Sequence, residues 1–120
     1  MTAMNLTVID RSVFADLQRL TGADFVADLV GTFGEEAPPL IDELRAARAA
    51  GAAERFRRAA HSLKSNANAF GAVGLAERAR TLELDGLPPD VSGIDALAAE
   101  LAAALAALRA LASGTSGTPA

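Results

Sequence analysis

The sequence predicts an all-α protein, an antiparallel four-helix bundle with a short extra N-terminal helix. Hydrophobic residues make up 51% of the 120 residues but aromatic residues only 4%, so the apolar content is chiefly alanine and leucine, which favour helices. No long segment alternates apolar and polar residues as a half-buried strand does. Apolar residues instead recur three or four positions apart in four longer segments, and short glycine-containing loops between them favour up-and-down connections.

The first predicted helix is short and spans about residues 11–21. Asp10 has the side chain of an N-cap residue, and Gly22 is placed to terminate the helix. The apolar residues at helical spacing between them are Val13, Phe14, Leu17 and Leu20. We expect this helix to cover one end of the bundle, and we assign no chemistry to it.

The second helical segment begins at Asp24 and ends before Gly51. Its apolar period is formed by Phe25, Leu29, Phe33, Ala37, Leu40, Ile41 and Leu44. Pro38 and Pro39 interrupt it, and a proline inside a helix removes a backbone hydrogen bond and clashes with the preceding turn. We therefore expect a kink or a break near residues 35–38 rather than one straight helix.

Three further helices follow, at about residues 52–70, at about 72–85, and from a cap at Asp90 or Ser92 to about 111. Gly71 ends the first of these, and a Gly-Leu-Pro-Pro loop at 86–89 follows the second. Their apolar faces are formed by Phe56, Ala60, Leu63, Ala67 and Phe70, by Leu75, Ala79 and Leu82, and by Ile94, Leu97, Leu101, Leu105, Leu108 and Leu111. The charged positions of the 72–85 helix, Glu77, Arg78, Arg80 and Glu83, are expected to face away from the core.

One domain over residues 9–112 is expected, since 120 residues suit a single core. Residues 1–8 are interpreted as a lead-in. Residues 113–120 are rich in Gly, Ser, Thr and Pro, which predicts a disordered tail or the start of a linker.

The composition excludes several classes of function. A net charge of −4 and a pI of about 4.9 argue against nucleic-acid binding, which needs clustered positive charge. The absence of cysteine excludes disulfides and thiolate zinc sites, and a single histidine cannot form a multi-histidine metal site. The sequence has neither a signal-peptide pattern nor an apolar run long enough to span a membrane, so we expect a soluble, cytoplasmic domain.

His61, the only histidine, lies three residues before Lys64, the only lysine. On a helix that advances about 100° per residue, His61 falls about 140° from Phe56, and so away from the apolar stripe. The residues within roughly 60° of it are Arg57, Lys64, Ser65 and Asn68. The imidazole is therefore predicted to stand on a polar, basic face.

Two interpretations of this face remain open. In the first, His61 is a solvated surface residue and its basic neighbours keep the helix soluble. In the second, His61 is a nucleophile. An unperturbed imidazole has a pKa of about 6.5, so much of it carries a free lone pair at neutral pH and can attack phosphorus without a separate base. Lys64 would then hold the anionic phosphoryl group, and the small side chains of Ser65 and Asn68 would leave room for a partner.

A family resemblance favours the second interpretation. The segments Ala60-His61-Ser62-Leu63-Lys64-Ser65, Phe70-Gly71-Ala72, Leu75-Ala76 and Leu82-Glu83 resemble the signature of histidine-containing phosphotransfer domains, which carry phosphate in bacterial multistep phosphorelays. The segments at 33–38 and 44–50 resemble the helix that precedes the histidine helix in that family. The resemblance covers about residues 9–111.

The resemblance implies a role for several residues. His61 would be the phospho-accepting histidine, Lys64 would stabilise the phosphoryl group, and Gly71 would let the next helix begin close by. Ser65 stands where the family often has glycine, which bears on how closely a partner approaches. Arg57 and Asn68 are interpreted as part of the same binding face.

The resemblance also implies the reaction and the partners. The phosphoryl group would pass reversibly between His61 and an aspartate of a response-regulator receiver domain, or come from a hybrid sensor histidine kinase. Mg²⁺ is expected on the receiver, and this chain would need no cofactor of its own. It would be a phosphoryl carrier rather than a self-sufficient enzyme, with no kinase or ATPase site. A monomer that binds neither nucleic acid nor membrane is expected.

Two alternatives remain at this point. The first is a non-catalytic helical adaptor that docks receiver or kinase domains without carrying phosphate. The second is a purely structural bundle in which His61 is incidental. Neither would need His61 and Lys64 together on an outward face.

Overall fold

A computed structural model of the chain describes residues 8–113. Over that range it has five α-helices and no strand: α1 (Arg11–Thr21), α2 (Ala23–Ala50), α3 (Ala53–Ala69), α4 (Val73–Asp85) and α5 (Ser92–Ala112). The all-α prediction is confirmed, and the bounds of α1 agree with those predicted. Of the predicted lead-in at 1–8 and the predicted tail at 113–120, residues 1–7 and 114–120 lie outside the described residues. None of the five helices is both long and apolar enough to cross a membrane.

The four longer helices enclose one apolar core. The most extensive packing is between α3 and α4, and α2 packs against both α3 and α5. α5 also packs against α4, while α1 contacts α2. The largest fully buried side chains come from all four longer helices, and they are Val26, Val30, Leu44, Phe56, Leu63, Leu75, Ile94, Leu97 and Leu108.

The inner face of α2 differs from the predicted one at its N-terminal end. Phe25 was expected in the core but is 52% exposed, whereas its neighbour Val26 is 0% exposed. The buried positions of α2 are Val26, Val30, Phe33, Ala37, Ile41, Leu44 and Ala47. This stripe has unbroken three- and four-residue spacing, and Phe25 is rotated from it by about 100°. The prediction that Phe25 begins the buried face of α2 was therefore wrong, and Val26 begins it instead.

The break expected near residues 35–38 is absent, because α2 is continuous from Ala23 to Ala50. Pro38 and Pro39 are exposed, while Ala37 and Ile41 on the inner face are buried. The missing proline N–H groups leave backbone carbonyls of the preceding turn without their helical partners. Apolar contacts on both sides of the prolines keep the chain helical through this point. A kink there remains a prediction.

Asp10 caps α1, as the sequence predicts, whereas the N-cap position of α5 is Val91, which makes no side-chain cap hydrogen bond, rather than Asp90 or Ser92. The Asp10 carboxylate accepts the backbone N–H groups of Ser12 and Val13 at 3.0 and 3.4 Å, before α1. The Asp90 carboxylate accepts the N–H and hydroxyl of Ser92 at 3.0 and 2.7 Å, at the start of α5. Hydrogen bonds to the Ser12 hydroxyl and to the Val13 N–H lower the pKa of Asp10.

A tight turn at Gly71 places α4 beside α3. Gly71 has a φ of +77°, and a Cβ atom added to it would lie 2.8 Å from the Asp10 carbonyl oxygen and 3.0 Å from the Val13 Cβ. The Asp10 N–H donates to the Gly71 carbonyl oxygen at 2.7 Å. Gly71 therefore has two structural roles. It allows the chain to reverse direction between α3 and α4, and it lets the segment before α1 pack so closely that no side chain would fit at this position.

Gly71→Ala should destabilise the protein more than Gly51→Ala. Both glycines have positive φ, but a Cβ at Gly51 would meet nothing within 4 Å. The left-handed conformation alone should lower the free energy of unfolding by about 1–2 kcal/mol in either variant. Gly71→Ala should lose measurably more in urea denaturation, because of its clash with Asp10 and Val13. Equal losses would contradict the close packing at this turn.

Candidate functional site

His61 stands on the outer face of α3, as the helical phase predicts. Its side chain is 55% exposed. The stripe on the opposite face is buried: Phe56, Ala60, Leu63 and Ala67 are each 0% exposed and Phe70 is 6% exposed. The imidazole is thus carried by a helix that is fixed along its full inner side, which holds the ring at a defined place on the surface.

A carboxylate from α4 contacts both His61 and Lys64. Glu83 Oε2 lies 2.8 Å from His61 Nδ1, and Glu83 Oε1 lies 2.8 Å from Lys64 Nζ. The Glu83 side chain is only 12% exposed. Oε1 is fully buried, and the Lys64 ammonium is its ion-pair partner. One carboxylate therefore bridges the two residues singled out by the sequence.

This arrangement fixes the proton on the imidazole ring. Lys64, and then the hydrogen bond with His61, lowers the pKa of the Glu83 carboxyl, so Glu83 is ionised at neutral pH. An ionised carboxylate can only accept hydrogen bonds. The neutral His61 ring must therefore donate its proton from Nδ1 to Glu83, and its lone pair lies on Nε2. Nε2 is thus the ring nitrogen with a free lone pair.

The opposite flank of His61, toward α2, is open. We call this depression the histidine hollow, and it has a volume of about 390 Å³. Its walls are formed by Glu36, Leu40, His61, Ser62, Ser65 and Asn66. Glu83 therefore holds the ring from the α4 side, while the small side chains of Ser62, Ser65 and Asn66 leave space on the α2 side.

The remaining predicted site residues lie farther from this centre. Arg57, one turn before His61, is exposed and forms an ion pair with Glu54 at 2.5 Å. Asn68 is exposed on the same helix. Gly71 is buried in the turn after α3. The structure thus brings His61, Lys64 and Ser65 together, places Arg57 and Asn68 on the same helix around them, and gives Gly71 an architectural position.

Sequence reasoning missed Glu83 as a member of the site. It grouped Glu83 with the charged residues expected to face away from the core, but Glu83 is half-buried whereas Glu77 and Arg80 are exposed. The contact with His61 spans 22 positions, so helical periodicity within α4 could not show it. The one available signal was the Leu82-Glu83 pair within the family resemblance.

The site can perform nucleophilic chemistry at one nitrogen. Attack by Nε2 places positive charge on the ring, and the Glu83 carboxylate stabilises that charge through Nδ1–H. An ammonium has three N–H groups, so Lys64 retains donors for an anion bound at His61. Among residues 8–113, no group of three or more His, Asp or Glu side chains could hold a metal ion.

Two comparisons with known proteins find a match. The family model of the Hpt domain matches residues 28–110. The structure is similar to that of histidine-containing phosphotransfer protein B (HptB) from Pseudomonas aeruginosa PAO1, with a TM-score of 0.71 and 29% sequence identity. That similarity covers 90% of this chain and 93% of the other. No curated protein matches the chain.

Glu83→Gln should release the fixed tautomer of His61. A glutamine amide can either accept from or donate to Nδ1, so both neutral tautomers become accessible. We expect ¹⁵N NMR of the ring at about pH 8, above the usual imidazole pKa, to show Nδ1–H in the wild type and a mixture in the variant. Glu77→Gln is the matched control, because Glu77 is an exposed glutamate on the same helix. An unchanged tautomer in Glu83→Gln would contradict the role of the carboxylate.

Proposed function

Because the chain belongs to the Hpt family and has a phosphotransfer role in a two-component phosphorelay, we propose that His61 is the residue that carries the phosphoryl group. The observation that supports this most strongly is the imidazole whose Nδ1 is held by Glu83 at 2.8 Å, on a ring that is half exposed. His61 is also the only histidine in the chain. Its Nε2 lone pair faces no competing partner among the described residues.

The proposed step is an in-line transfer from a phosphorylated aspartate of a receiver domain. The Nε2 lone pair forms a bond to phosphorus as the bond from phosphorus to the aspartate oxygen breaks. The electron pair of that bond leaves with the aspartate, which regains its carboxylate. The proton on Nδ1 stays in the hydrogen bond to Glu83, which offsets the positive charge on the ring. The reverse sequence returns the phosphoryl group to a receiver.

Lys64 is proposed to stabilise the transferring group. Its side chain is 24% exposed, and its ammonium is held by the ion pair with Glu83, which also contacts His61, so it needs little reorganisation to reach a phosphoryl oxygen. Mg²⁺ is expected to be held by the receiver and to supply further positive charge to the phosphoryl oxygens. This chain would contribute no cofactor of its own.

The same proposal extends to architecture and partners. The packing of α2 with α3, α3 with α4, α4 with α5 and α5 with α2 supports an antiparallel four-helix bundle, with α1 as the extra N-terminal helix. Hpt domains interact with receiver domains and kinases. We propose that this chain docks a response-regulator receiver, a hybrid sensor kinase or both, as a monomer in the cytoplasm, without binding nucleic acid or membrane.

His61→Gln should abolish phosphate acceptance without unfolding the protein. The side chain is half exposed, so the substitution removes the nucleophile and leaves the core intact. The measurement is incorporation of radiolabel from a phosphorylated receiver domain, with circular dichroism as the folding control. Label on the wild type should be lost in acid and survive alkali, as expected of a phosphohistidine. Label retained by His61→Gln would contradict the assignment. If the wild-type protein binds receiver domains but takes up no label, the alternative function of a non-catalytic helical adaptor would be favoured.

Lys64→Ala should slow transfer by about tenfold or more, because a hydrogen bond to a charged group contributes roughly 1.5–3 kcal/mol. The comparison is single-turnover transfer from one phosphorylated receiver. Arg78→Ala is the control, since it also removes one positive charge, but from an ion pair with Glu100 on α5. Equal rates for Lys64→Ala and Arg78→Ala would show that Lys64 has no specific role.

A further inference from the structure

A second depression continues from the histidine hollow along the groove between α2 and α3. We call it the phenylalanine hollow, and it has a volume of about 160 Å³. Its walls are formed by Leu29, Thr32, Phe33, Glu36, Asn66 and Phe70. The Phe33 and Phe70 rings stack with their centroids 5.1 Å apart. Glu36 and Asn66 line both hollows, so the two form one groove that ends at His61.

Glu36 stands between the apolar and the reactive part of this groove. Apart from the titratable His61, it is the one side chain with a formal charge that lines either hollow. Lys64, whose ammonium pairs with Glu83, lies toward α4 instead. Glu36 is exposed, and within the described part of the chain no cationic side chain forms an ion pair with it. Its carboxylate therefore has no cationic partner among residues 8–113.

A protein that docks along the groove would remove water from the Glu36 carboxylate. Excluding water from an unpaired carboxylate is strongly unfavourable. A cation on the partner would offset that loss, whereas an acidic residue there would add repulsion and reject the partner. Glu36 therefore attracts a partner with a cationic side chain at this position and disfavours a partner with an acidic one.

We propose that Glu36 determines which receiver domains this protein accepts, by selecting those with a lysine or arginine beside the apolar side chain that fills the phenylalanine hollow. This inference rests on the proposed function, since it concerns the partner of the same site. Glu36 touches no reacting atom. It acts on docking, so its effect should appear in the affinity of the complex and in the salt dependence of transfer.

The test uses the full-length chain and a receiver domain that exchanges phosphate with it. Glu36→Lys is compared with Glu35→Lys, which makes the same charge change at an adjacent exposed residue that lines neither hollow. The dissociation constant of the unphosphorylated complex and the single-turnover transfer rate are measured for each at low and high salt. On the receiver, each lysine or arginine of the docking face is changed to glutamate in turn.

We expect Glu36→Lys to weaken binding about tenfold or more and Glu35→Lys by less than about twofold, because like charges at a contact oppose association. The loss should shrink at high salt. One receiver variant should bind Glu36→Lys better than it binds the wild type. Equal effects of the two lysine variants, or no compensating receiver variant, would overturn the inference. A wild-type protein that takes no label from any receiver would instead contradict the proposed function itself.

Discussion

The contact between the Glu83 carboxylate and the two polar residues of α3 is the interaction on which the site depends. It joins α3 to α4, sets the proton on His61 Nδ1 and holds the Lys64 ammonium close to the ring. It exists because the turn at Gly71 returns the chain so tightly that α4 lies against α3. This turn requires a glycine, because residue 71 has a φ of +77° and the backbone of Asp10 packs directly against it. The chemistry of one imidazole is thus tied to a backbone constraint ten residues away.

The two flanks of His61 have different properties. Toward α4 the ring contacts the Glu83 carboxylate, which also pairs with the Lys64 ammonium. Toward α2 it meets an open groove lined by Leu40, by small polar side chains and by one carboxylate, with a depression lined by aromatic rings farther along. A partner can therefore approach from the α2 side without disturbing Glu83.

Much of this structure follows from local sequence patterns. The apolar stripe of Phe56, Leu63 and Ala67 correctly predicted which face of α3 is buried. It therefore also predicted that His61 is exposed, because a helix with one apolar stripe can pack against a core in only one orientation. The cap at Asp10 and the stops at Gly22 and Gly51 were equally readable, since each satisfies backbone groups at a helix end.

The errors arose where tertiary packing decides between local options. By sequence alone, either Phe25 or Val26 could have been the first buried residue of α2. In the folded protein it is Val26 that packs into the core. Pro38 and Pro39 predict a break by local rules, yet buried contacts on both sides keep α2 continuous. Glu83 resembled any exposed helix charge until the turn at Gly71 brought it next to His61. Periodicity reports which face of a helix is buried but not which residue of another helix it meets.

The most direct measurement is to identify the phosphorylated ring nitrogen in the wild-type protein. The protein would be phosphorylated by a receiver domain and examined by ¹⁵N and ³¹P NMR, with the ring labelled at both nitrogens. Because Glu83 occupies Nδ1, the phosphoryl group should be bonded to Nε2, with the proton retained on Nδ1. A phosphoryl group on Nδ1 would show that the Glu83 contact is not maintained in the reaction, and would contradict the proposed role of Glu83 in holding the proton on that nitrogen.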